Sequence, residues 1–542
     1  MIPAGEDAGA TTVARLAALT SWRSEWSGLR VVVLGLGEAG FAAADTLAEL
    51  GADVLVIADE PDEERARLID VIGARLLVAA ETDAAWAAAE EHGVELVVAA
   101  PHIRPSHPFL QRAAAADLAV WGDVELAWRV RDKTGIPAEW LLVTGSNGKS
   151  TVASLAASMI DRAGLRVAPC GEPETPALHA VRDPAGFDVL VVEVSAVELT
   201  RVRTVVPFTS VCLNVDAGSA DGLETPADAL RAFGRVYDDT RVACIYNRAD
   251  PLTEDLVREA VVTEGARAIG FGLDVPGPSD LGVVDGILCD RAFLAERATS
   301  ALELTTVEDL ALRGLAAPHL VQDVLAAAAL ARSFEVTPQQ IRDALTLFAP
   351  APHTMATVAI EGGIAWVDDG RADTVHAAAA AIRSFPSVVW IVDADADADL
   401  ALPALLGRHA ERLRAVVVIG DAAERARGIF ERHAPALPLR TIPAGETGEV
   451  MSDAVRLAAG FALDGDVVLL APAAARMPGS SGPDERGGRF LTAVREVLGG
   501  STDGESAVDH EPDLPEDDSA PDAGDDGEPD GEPGGEPGGR SD

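Results

Sequence analysis

The chain has 542 residues, of which 43 are Lys or Arg and 88 are Asp or Glu, so its formal net charge is −45. This acidity argues against a surface for nucleic acid or anionic membrane, because phosphate groups favour clustered Lys and Arg. Hydrophobic residues make up 48% of the sequence, enough for sizeable cores, and the length predicts three or four domains.

Cysteine usage and the N-terminus indicate the cellular compartment. The four cysteines, Cys170, Cys212, Cys244 and Cys289, form no C-x-x-C pair, which is typical of reduced thiols in a cytosolic protein. No basic segment precedes an apolar core at the N-terminus, and no run of about 18 apolar residues occurs. We therefore expect a cytoplasmic protein without a signal peptide or a membrane span.

Alternating strand and helix patterns divide the chain into three α/β blocks, as in domains built on parallel sheets. In the first block, strands are expected at 29–34, 53–57, 74–78 and 95–99, and a helix at 37–50. We predict a Rossmann-like domain at 1–134, a central parallel-sheet domain of the P-loop ATPase type at 135–350, and a second Rossmann-like domain at 351–500.

A glycine fingerprint, G-x-G-x-x-G, follows the first strand and opens the first helix. Its glycines are Gly35, Gly37 and Gly40, and Asp59 follows the next strand. In such a loop a pyrophosphate lies at the helix N-terminus and the acid binds a ribose. The pattern alone would indicate NAD. Because a second nucleotide loop follows in the same chain, we expect these residues to bind another diphosphate substrate, or to serve only the fold.

The strongest chemical motif, VTGSNGKST, opens the central block between an apolar strand and a helix. It predicts an ATP site made of Gly145, Ser146, Asn147, Gly148, Lys149, Ser150 and Thr151. The glycines turn backbone N–H groups toward phosphate, Lys149 reaches the terminal phosphates, and a hydroxyl can ligate Mg²⁺. The loop is two residues shorter than the G-x-x-x-x-G-K-[ST] pattern. Lys149 is one of only two lysines, the other being Lys133.

A carboxylate for the magnesium ion is expected at the end of the next apolar strand. That strand, 188–192, leads directly into Glu193. Ligands bind at the carboxyl ends of parallel strands, and Mg²⁺ prefers oxygen ligands. We predict that Glu193 and Ser150 hold Mg²⁺; the alternative for Glu193 is a solvated strand end.

The third block and the tail show less chemistry. Strands are expected at 364–367, 388–392, 415–419 and 466–470. The alternating carboxylates at 393–399 are interpreted as a solvated loop rather than a cation site. The segment 501–542 holds 16 acidic residues, one Arg and no aromatic residue. It cannot bury enough surface to offset its ordering entropy, which predicts a disordered acidic tail.

Several motifs resemble, in their order, those of the Mur ligases, the ATP-dependent amide-forming enzymes of peptidoglycan assembly. They are VTGSNGKST, EVSAVEL at 193–199, NRAD at 247–250, and LLAPAAARM followed by RGGRF at 486–490. The first block, with LGLGEAG, HPFL and GDVELAW, is most similar to the members that add D-glutamate to UDP-N-acetylmuramoyl-L-alanine. The resemblance extends over about residues 30–495.

The resemblance implies a mechanism and a set of partners. ATP would phosphorylate a substrate carboxylate, and an amine would then attack the acyl phosphate. It implies Lys149 and Glu193 as catalytic residues, Asn247 near the adenine, and Ser195 in the substrate site, while Arg371 could bind a carboxylate. It also implies ATP and Mg²⁺ as cofactors and UDP-N-acetylmuramoyl-L-alanine and D-glutamate as substrates. We expect a monomer that binds no nucleic acid.

The departures from the family pattern concentrate at chemical positions. Ser219 stands where the family has a His for a second metal, and Phe233 stands where it has a Lys that is carbamylated to hold that metal. A benzyl group cannot ligate Mg²⁺. Other family motifs are replaced by Gly171-Glu-Pro-Glu174, His319 to Asp323, Pro352-His353-Thr354, Asp369 to Thr374, and Arg476.

Two hypotheses from different classes follow. The first is an ATP-dependent ligase that adds D-glutamate with one metal instead of two. The second is a catalytically impaired family member that serves as a nucleotide-binding regulatory or scaffold protein. The intact ATP loop and Glu193 favour the first hypothesis, whereas Ser219 and Phe233 favour the second.

Overall fold

A computed structural model gives the fold of the chain. It describes residues 6–60, 63–171, 175–393, 398–420, 423–443, 450–474 and 482–499. The chain divides after Leu498, and the first unit contains all three β-sheets described below.

The first sheet has five parallel strands in the order β3-β2-β1-β4-β5. Its strands are β1 Arg30–Leu34, β2 Asp53–Ala58, β3 Arg75–Val78, β4 Leu96–Ala99 and β5 Ala119–Trp121. Its helices are α1 Glu6–Ala18, α2 Glu38–Glu49, α3 Glu63–Val71, α4 Thr82–His92, α5 Pro108–Ala115 and α6 Asp123–Arg129. The strand order reverses between β1 and β4, so their carboxyl ends open a crevice where ligands bind in such sheets.

The central sheet has nine strands in the order β14-β13-β12-β11-β10-β9-β6-β8-β7. The strands are β6 Glu139–Thr144, β7 Val167–Cys170, β8 Val189–Glu193, β9 Thr209–Cys212, β10 Ala243–Asn247, β11 Arg267–Phe271, β12 Asp280–Val284, β13 Ile287–Asp290 and β14 Leu302–Thr306. The helices are α7 Lys149–Asp161, α8 Ala177–Arg182, α9 Ala196–Leu199, α10 Pro226–Gly234, α11 Pro251–Glu259, α12 Val307–Ala311, α13 Pro318–Ser333 and α14 Pro338–Leu347. Pairing is parallel from β7 through β12 and antiparallel at β13 and β14.

The third sheet has six strands in the order β15-β16-β20-β17-β18-β19. They are β15 Ala356–Glu361, β16 Ile364–Asp368, β17 Val388–Asp393, β18 Leu413–Ile419, β19 Leu439–Ile442 and β20 Val467–Leu470. The helices are α15 Val375–Arg383, α16 Ala398–His409, α17 Ala423–His433, α18 Val450–Ala459 and α19 Pro483–Gly499. Only the edge strand β15 pairs antiparallel among these described strands.

The predicted α/β class with parallel sheets and a Rossmann-like N-terminal region is confirmed. In the first and third blocks the sequence analysis missed β5, which has three residues, the antiparallel strand β15, and the edge strand β19. The predicted boundaries at 134, 350 and 500 remain predictions, and the acidic tail 501–542 lies outside the described residues.

Two helices pack tightly behind the central sheet. Helix α13 lies against α7 and buries the run from Leu325 to Ala331 completely, in which five of the seven residues are alanines. Small side chains allow the two helix axes to approach closely, and interior packing holds them in place. This pairing fixes the helix that begins at the phosphate loop.

None of the described helices is both long and apolar enough to cross a bilayer.

Candidate nucleotide and substrate site

The phosphate loop joins β6 to α7, as the motif predicted. Gly148 has φ +89°, a conformation that side chains strain to adopt, and it forms the N-terminal cap of α7. A Cβ atom at Gly148 would also lie 2.9 Å from Oδ1 of Asp323. Lys149 donates from Nζ to the carbonyl of Gly145 at 2.8 Å, so its cation lies over the loop. The loop thus presents backbone N–H groups and an ammonium at one helix N-terminus.

The structure brings Ser150 and Glu193 together. The hydroxyl of Ser150 donates to Oε2 of Glu193 at 2.9 Å. The contact arises because β6 and β8 are parallel neighbours, with Val143 opposite Glu193 in the register. Glu193 is buried, and both side chains supply the oxygen ligands that Mg²⁺ prefers. The geometry fits a magnesium site, and their role as ligands stays a prediction.

The loop is attached to the segment that follows β9. Asn214 donates from Nδ2 to the carbonyl of Asn147 at 2.9 Å, and its Oδ1 accepts from the Asn147 N–H at 3.0 Å. Ser146 donates its hydroxyl to Asp221 at 2.9 Å and accepts from the Asp216 N–H at 2.9 Å. These two-way contacts fix the loop in one conformation. The sequence analysis did not predict the contact of Asn214 with the loop.

Asn247 lies at the end of β10, and its side chain is engaged by the protein. Its Nδ2 donates to the carbonyl of Leu213 at 2.9 Å, and its Oδ1 accepts from the Ala249 N–H at 2.9 Å. The Asn247 side chain therefore has a structural role, since it joins the end of β10 to Leu213. Its direct contact with adenine stays a prediction. Thr151 lies in the first turn of α7 and is half-buried.

The positions where the family has second-metal ligands carry no such ligands here. Phe233 is 1% exposed and packs in a hydrophobic cluster with Val236 and Tyr237. The Ser219 hydroxyl accepts from the Asp221 N–H at 3.0 Å. Among the described residues, no group of three or more His, Cys, Asp or Glu side chains could hold a metal ion.

Helix α13 places two titratable side chains behind the loop. Burial raises the pKa of Asp323 well above its usual range, and its carboxyl group lies against Gly148. Burial and, to a lesser degree, the charge of Arg383 lower the pKa of His319 to about 4. Burial thus favours the neutral form of both groups, which limits repulsion between Asp323 and a phosphate.

The glycine fingerprint lies at the carboxyl edge of the first sheet. Gly35 has φ +97°, and a Cβ atom at Gly40 would lie 2.1 Å from the Gly35 carbonyl, so both positions require glycine. Gly37 forms the N-terminal cap of α2, and Asp59 is exposed just after β2. The four predicted residues thus share the carboxyl edge of the sheet, with the glycines after β1 beside the strand-order reversal and Asp59 after the neighbouring β2.

The remaining predicted substrate residues lie on two other elements. The Ser195 hydroxyl caps α9 by accepting from the Glu198 N–H at 3.2 Å. Arg371 is partly exposed, donates from Nε to the Pro352 carbonyl at 3.0 Å and lies 3.6 Å from Asp484. Their substrate roles stay predictions. Thr374, which caps α15, donates to Asn147 at 3.1 Å, so the start of α15 reaches the phosphate loop.

Some predicted features lie outside the described residues. These are residues 394–397 of the acidic stretch, Glu172-Pro-Glu174, Arg476 and the tail.

Comparisons with known proteins identify relatives along nearly the whole chain. Residues 143–281 match the Mur ligase middle domain, and residues 24–120 match an NAD(P)-binding domain model. The UDP-N-acetylmuramoylalanine–D-glutamate ligase of Leifsonia xyli is 52% identical over 505 residues, which cover 91% of this chain and 98% of that protein. The ligase of the same name from Tropheryma whipplei is 40% identical, covering 90% and 99%.

A solved structure agrees at the level of the fold. The pseudomurein peptide ligase type C of Methanothermus fervidus is 13% identical with a TM-score of 0.50, covering 85% of this chain and 99% of that one. The identity to the Leifsonia protein extends through all three sheets, and the phosphate loop has the geometry expected for a nucleotide. The chain therefore belongs to the Mur ligase family of ATP-dependent ligases.

Proposed function

We propose that this protein adds D-glutamate to UDP-N-acetylmuramoyl-L-alanine in an ATP-dependent step of peptidoglycan precursor synthesis. The observation that carries the proposal is the pairing of Ser150 with Glu193 beside Lys149, on the loop that begins α7. The names of the relatives at 52% and 40% identity support the choice of substrates. The protein is proposed to act as a cytoplasmic monomer.

The proposed reaction has two steps, formation of an acyl phosphate and formation of the amide. The terminal carboxylate of UDP-N-acetylmuramoyl-L-alanine attacks the γ-phosphorus of ATP, which forms an acyl phosphate and releases ADP. The neutral amine of D-glutamate then attacks the acyl carbon, and inorganic phosphate leaves as the amide forms and the amine loses a proton. Phosphoryl transfer of this kind depends mainly on positioning and on charge neutralisation.

The residues of this chain supply that positioning. Lys149 and the N–H groups that begin α7 would bind the phosphates of ATP, and Asn147 joins the loop to Thr374 at the start of α15. Ser150 and Glu193 would hold Mg²⁺, which neutralises phosphate charge when bound. The glycine loop of Gly35, Gly37 and Gly40 would receive the diphosphate of the nucleotide-sugar, and Arg371 would bind a carboxylate of the amino acid.

A second function is favoured by one specific observation. Phe233 is buried in a hydrophobic cluster and has no ligand atom, and Ser219 offers a hydroxyl in place of an imidazole, so the Lys and His ligands of a second cation are both missing. With one cation fewer, the charge on the transferring phosphoryl group is less neutralised. The alternative is therefore a nucleotide-binding regulatory or scaffold protein with little or no turnover.

Phosphate release by the purified protein tests the proposal. The assay contains ATP, Mg²⁺, UDP-N-acetylmuramoyl-L-alanine and D-glutamate, with each component omitted in turn, and the amide product is identified by mass. We expect phosphate and product in equal amounts, only with all components present. ATP binding without product under any condition would instead favour the scaffold function.

A further inference from the structure

The segment that follows β4 lies directly against the glycine loop. A Cβ atom at Gly35 would lie 3.0 Å from the Ala100 Cβ atom and 3.2 and 3.3 Å from Cε1 and Nε2 of His102. The imidazole therefore borders the glycine loop on the side of β4, and His102 is exposed to solvent. Gly37, by contrast, has open space where a side chain would lie. An accessible imidazole thus lies at the edge of a loop that is open at the start of α2.

A buried arginine from the central sheet fixes the backbone on both sides of His102. Arg201, which follows α9, is 3% exposed. Its guanidinium donates to the carbonyls of Ala99 at 3.3 Å and Ala100 at 3.1 Å, and to the carbonyl of Ile103. One planar side chain thus binds carbonyls that precede and follow the imidazole, which is the kind of rigid fork that Lys cannot supply.

The charge of Arg201 is balanced inside the protein. Glu198 accepts from the same guanidinium at 3.0 Å and is itself buried. Its carboxylate lies beside Gly122, where a Cβ atom would lie 2.2 Å from Oε2. Because a buried cation without a partner would be costly, this pairing allows Arg201 to serve as an internal brace. Arg201 lies eight residues after Glu193, so one short segment carries both the proposed magnesium ligand and the arginine that holds the backbone around His102.

Charged groups around the imidazole act on its protonation in opposite directions. Burial and the charge of Arg201 lower the pKa of His102, whereas Asp59 across the loop acts in the opposite direction. Glu38, which begins α2, is paired with Arg65 and lies 3.6 Å from His179. A bound diphosphate would favour the protonated imidazole, because opposite charge stabilises the charged form.

We propose that His102 is a substrate-binding residue that contacts the diphosphate of the nucleotide-sugar at Gly35, and that Arg201 is the positioning residue that holds it there. This inference rests on the proposed function for the identity of the nucleotide-sugar. The residues predicted to bind this substrate follow β1 and β2 or lie at the start of α2. His102 would add a binding residue that follows β4.

Calorimetric binding to the full-length protein tests the contact without requiring turnover. The ligands are UDP-N-acetylmuramoyl-L-alanine, UDP and ATP, and the variants are His102→Ala and, as a matched control, His433→Ala on the exposed side of α17. We expect His102→Ala to bind both uridine ligands about tenfold more weakly, the effect of losing one charge-assisted hydrogen bond, and to bind ATP normally. The control variant should match the wild type for all three ligands.

Each contrary result has a distinct meaning. Equal affinity of His102→Ala and wild type for both uridine ligands would overturn the inference. Weakening for the nucleotide-sugar alone would overturn the diphosphate contact, and equal weakening for ATP would show a non-local effect and overturn it as well. A wild-type protein that binds neither uridine ligand would overturn the proposed function instead.

A pH series separates binding from a merely structural role. The diphosphate of a nucleotide-sugar is esterified at both ends, so its charge is constant between about pH 6 and about pH 8, where imidazoles titrate. The affinity of the wild type for the nucleotide-sugar should rise as the pH falls through this range. The affinity of His102→Asn should not depend on pH. Arg201→Lys should bind the nucleotide-sugar more weakly than the wild type, and its affinity should depend less on pH. It should bind ATP normally. A lower melting temperature with unchanged affinity would show that Arg201 acts on stability alone.

Discussion

Two lysines in 542 residues give an unusually clean test of the phosphate loop. Lys149 lies over the loop through its 2.8 Å contact with the Gly145 carbonyl, while Lys133 pairs at 2.6 Å with Glu49 at the end of α2. We expect Lys149→Ala to weaken ATP binding by about 10- to 100-fold, because a charge-assisted contact to phosphate is lost. Lys133→Ala is the matched control and should bind ATP like the wild type. Calorimetry with Mg²⁺ and ATP measures both, and equal affinity of all three proteins would refute the assignment.

Asp323 offers a second test at the same loop, with a defined pH dependence. Its folded pKa is raised by burial, so between its ordinary pKa and the folded value only the unfolded chain has released the proton. Stability therefore falls as the pH rises through this window. Asp323→Asn should raise the melting temperature at neutral pH by a few degrees and leave ATP affinity unchanged, since burial already favours the uncharged carboxyl beside Gly148. Asp343→Asn, on the exposed part of α14, is the control and should change neither.

Some contacts at the site could be predicted from local sequence, and others could not. Ser150 and Glu193 could be predicted to meet, because one follows the end of β6, the other ends β8, and neighbouring parallel strands end at the same edge. The bonds of Arg201 to the backbone around His102 could not, because they join segments about a hundred residues apart and belong to no local motif. Asn214 was likewise missed, since its bonds to Asn147 depend on the adjacency of β6 and β9.

At the scale of elements, the start of α6 carries a buried acid that should govern stability against pH. Burial, with the nearby charge of Glu198, raises the pKa of Asp123 to about 7, and its Oδ2 accepts from the Ala177 N–H of α8 at 2.8 Å. The unfolded chain releases this proton near pH 3.8, so folding stability is lost as the pH rises from about 4 to about 7. Asp123→Asn should raise the melting temperature by about 2 °C or more at pH 8 and by nothing near pH 4. A melting-temperature gain that is the same at both pH values would contradict the raised pKa.

Helix α10 decides how the enzyme should respond to bicarbonate. A family member with a carbamylated Lys needs carbon dioxide, but here α10 presents Phe233, which is packed against Val236 and Tyr237. Turnover should therefore be unchanged when bicarbonate is added or removed, and should require only the Mg²⁺ proposed to bind at Ser150 and Glu193. Phe233→Lys with Ser219→His would supply the ligand types, yet it places an ammonium in an apolar cluster, so we expect reduced stability. Bicarbonate-stimulated turnover of the unmodified protein would be inconsistent with this structure.

Over the whole molecule, the alternation of strands and helices predicted the α/β class because buried parallel strands are continuous apolar runs. It could not predict β5, whose three residues give too short a run, or the antiparallel strands β13 and β14, which depend on neighbours rather than on their own sequence. The order of strands in the nine-stranded sheet likewise depends on contacts between segments far apart in sequence.

The acidic tail is the last feature whose contribution can be measured on the whole chain. Residues 501–542 carry 16 acidic side chains and one Arg, so their removal changes the formal net charge from −45 to −30. They contain no aromatic residue, and a segment with so little to bury cannot offset its ordering entropy. We expect the protein truncated after Gly500 to melt within about 1 °C of the full chain and to keep its ATP affinity. Calorimetric scans of both proteins at low and high salt provide the control, since a purely electrostatic effect of the tail would disappear at high salt. A fall of several degrees that persists at high salt would mean that the tail docks on the folded unit.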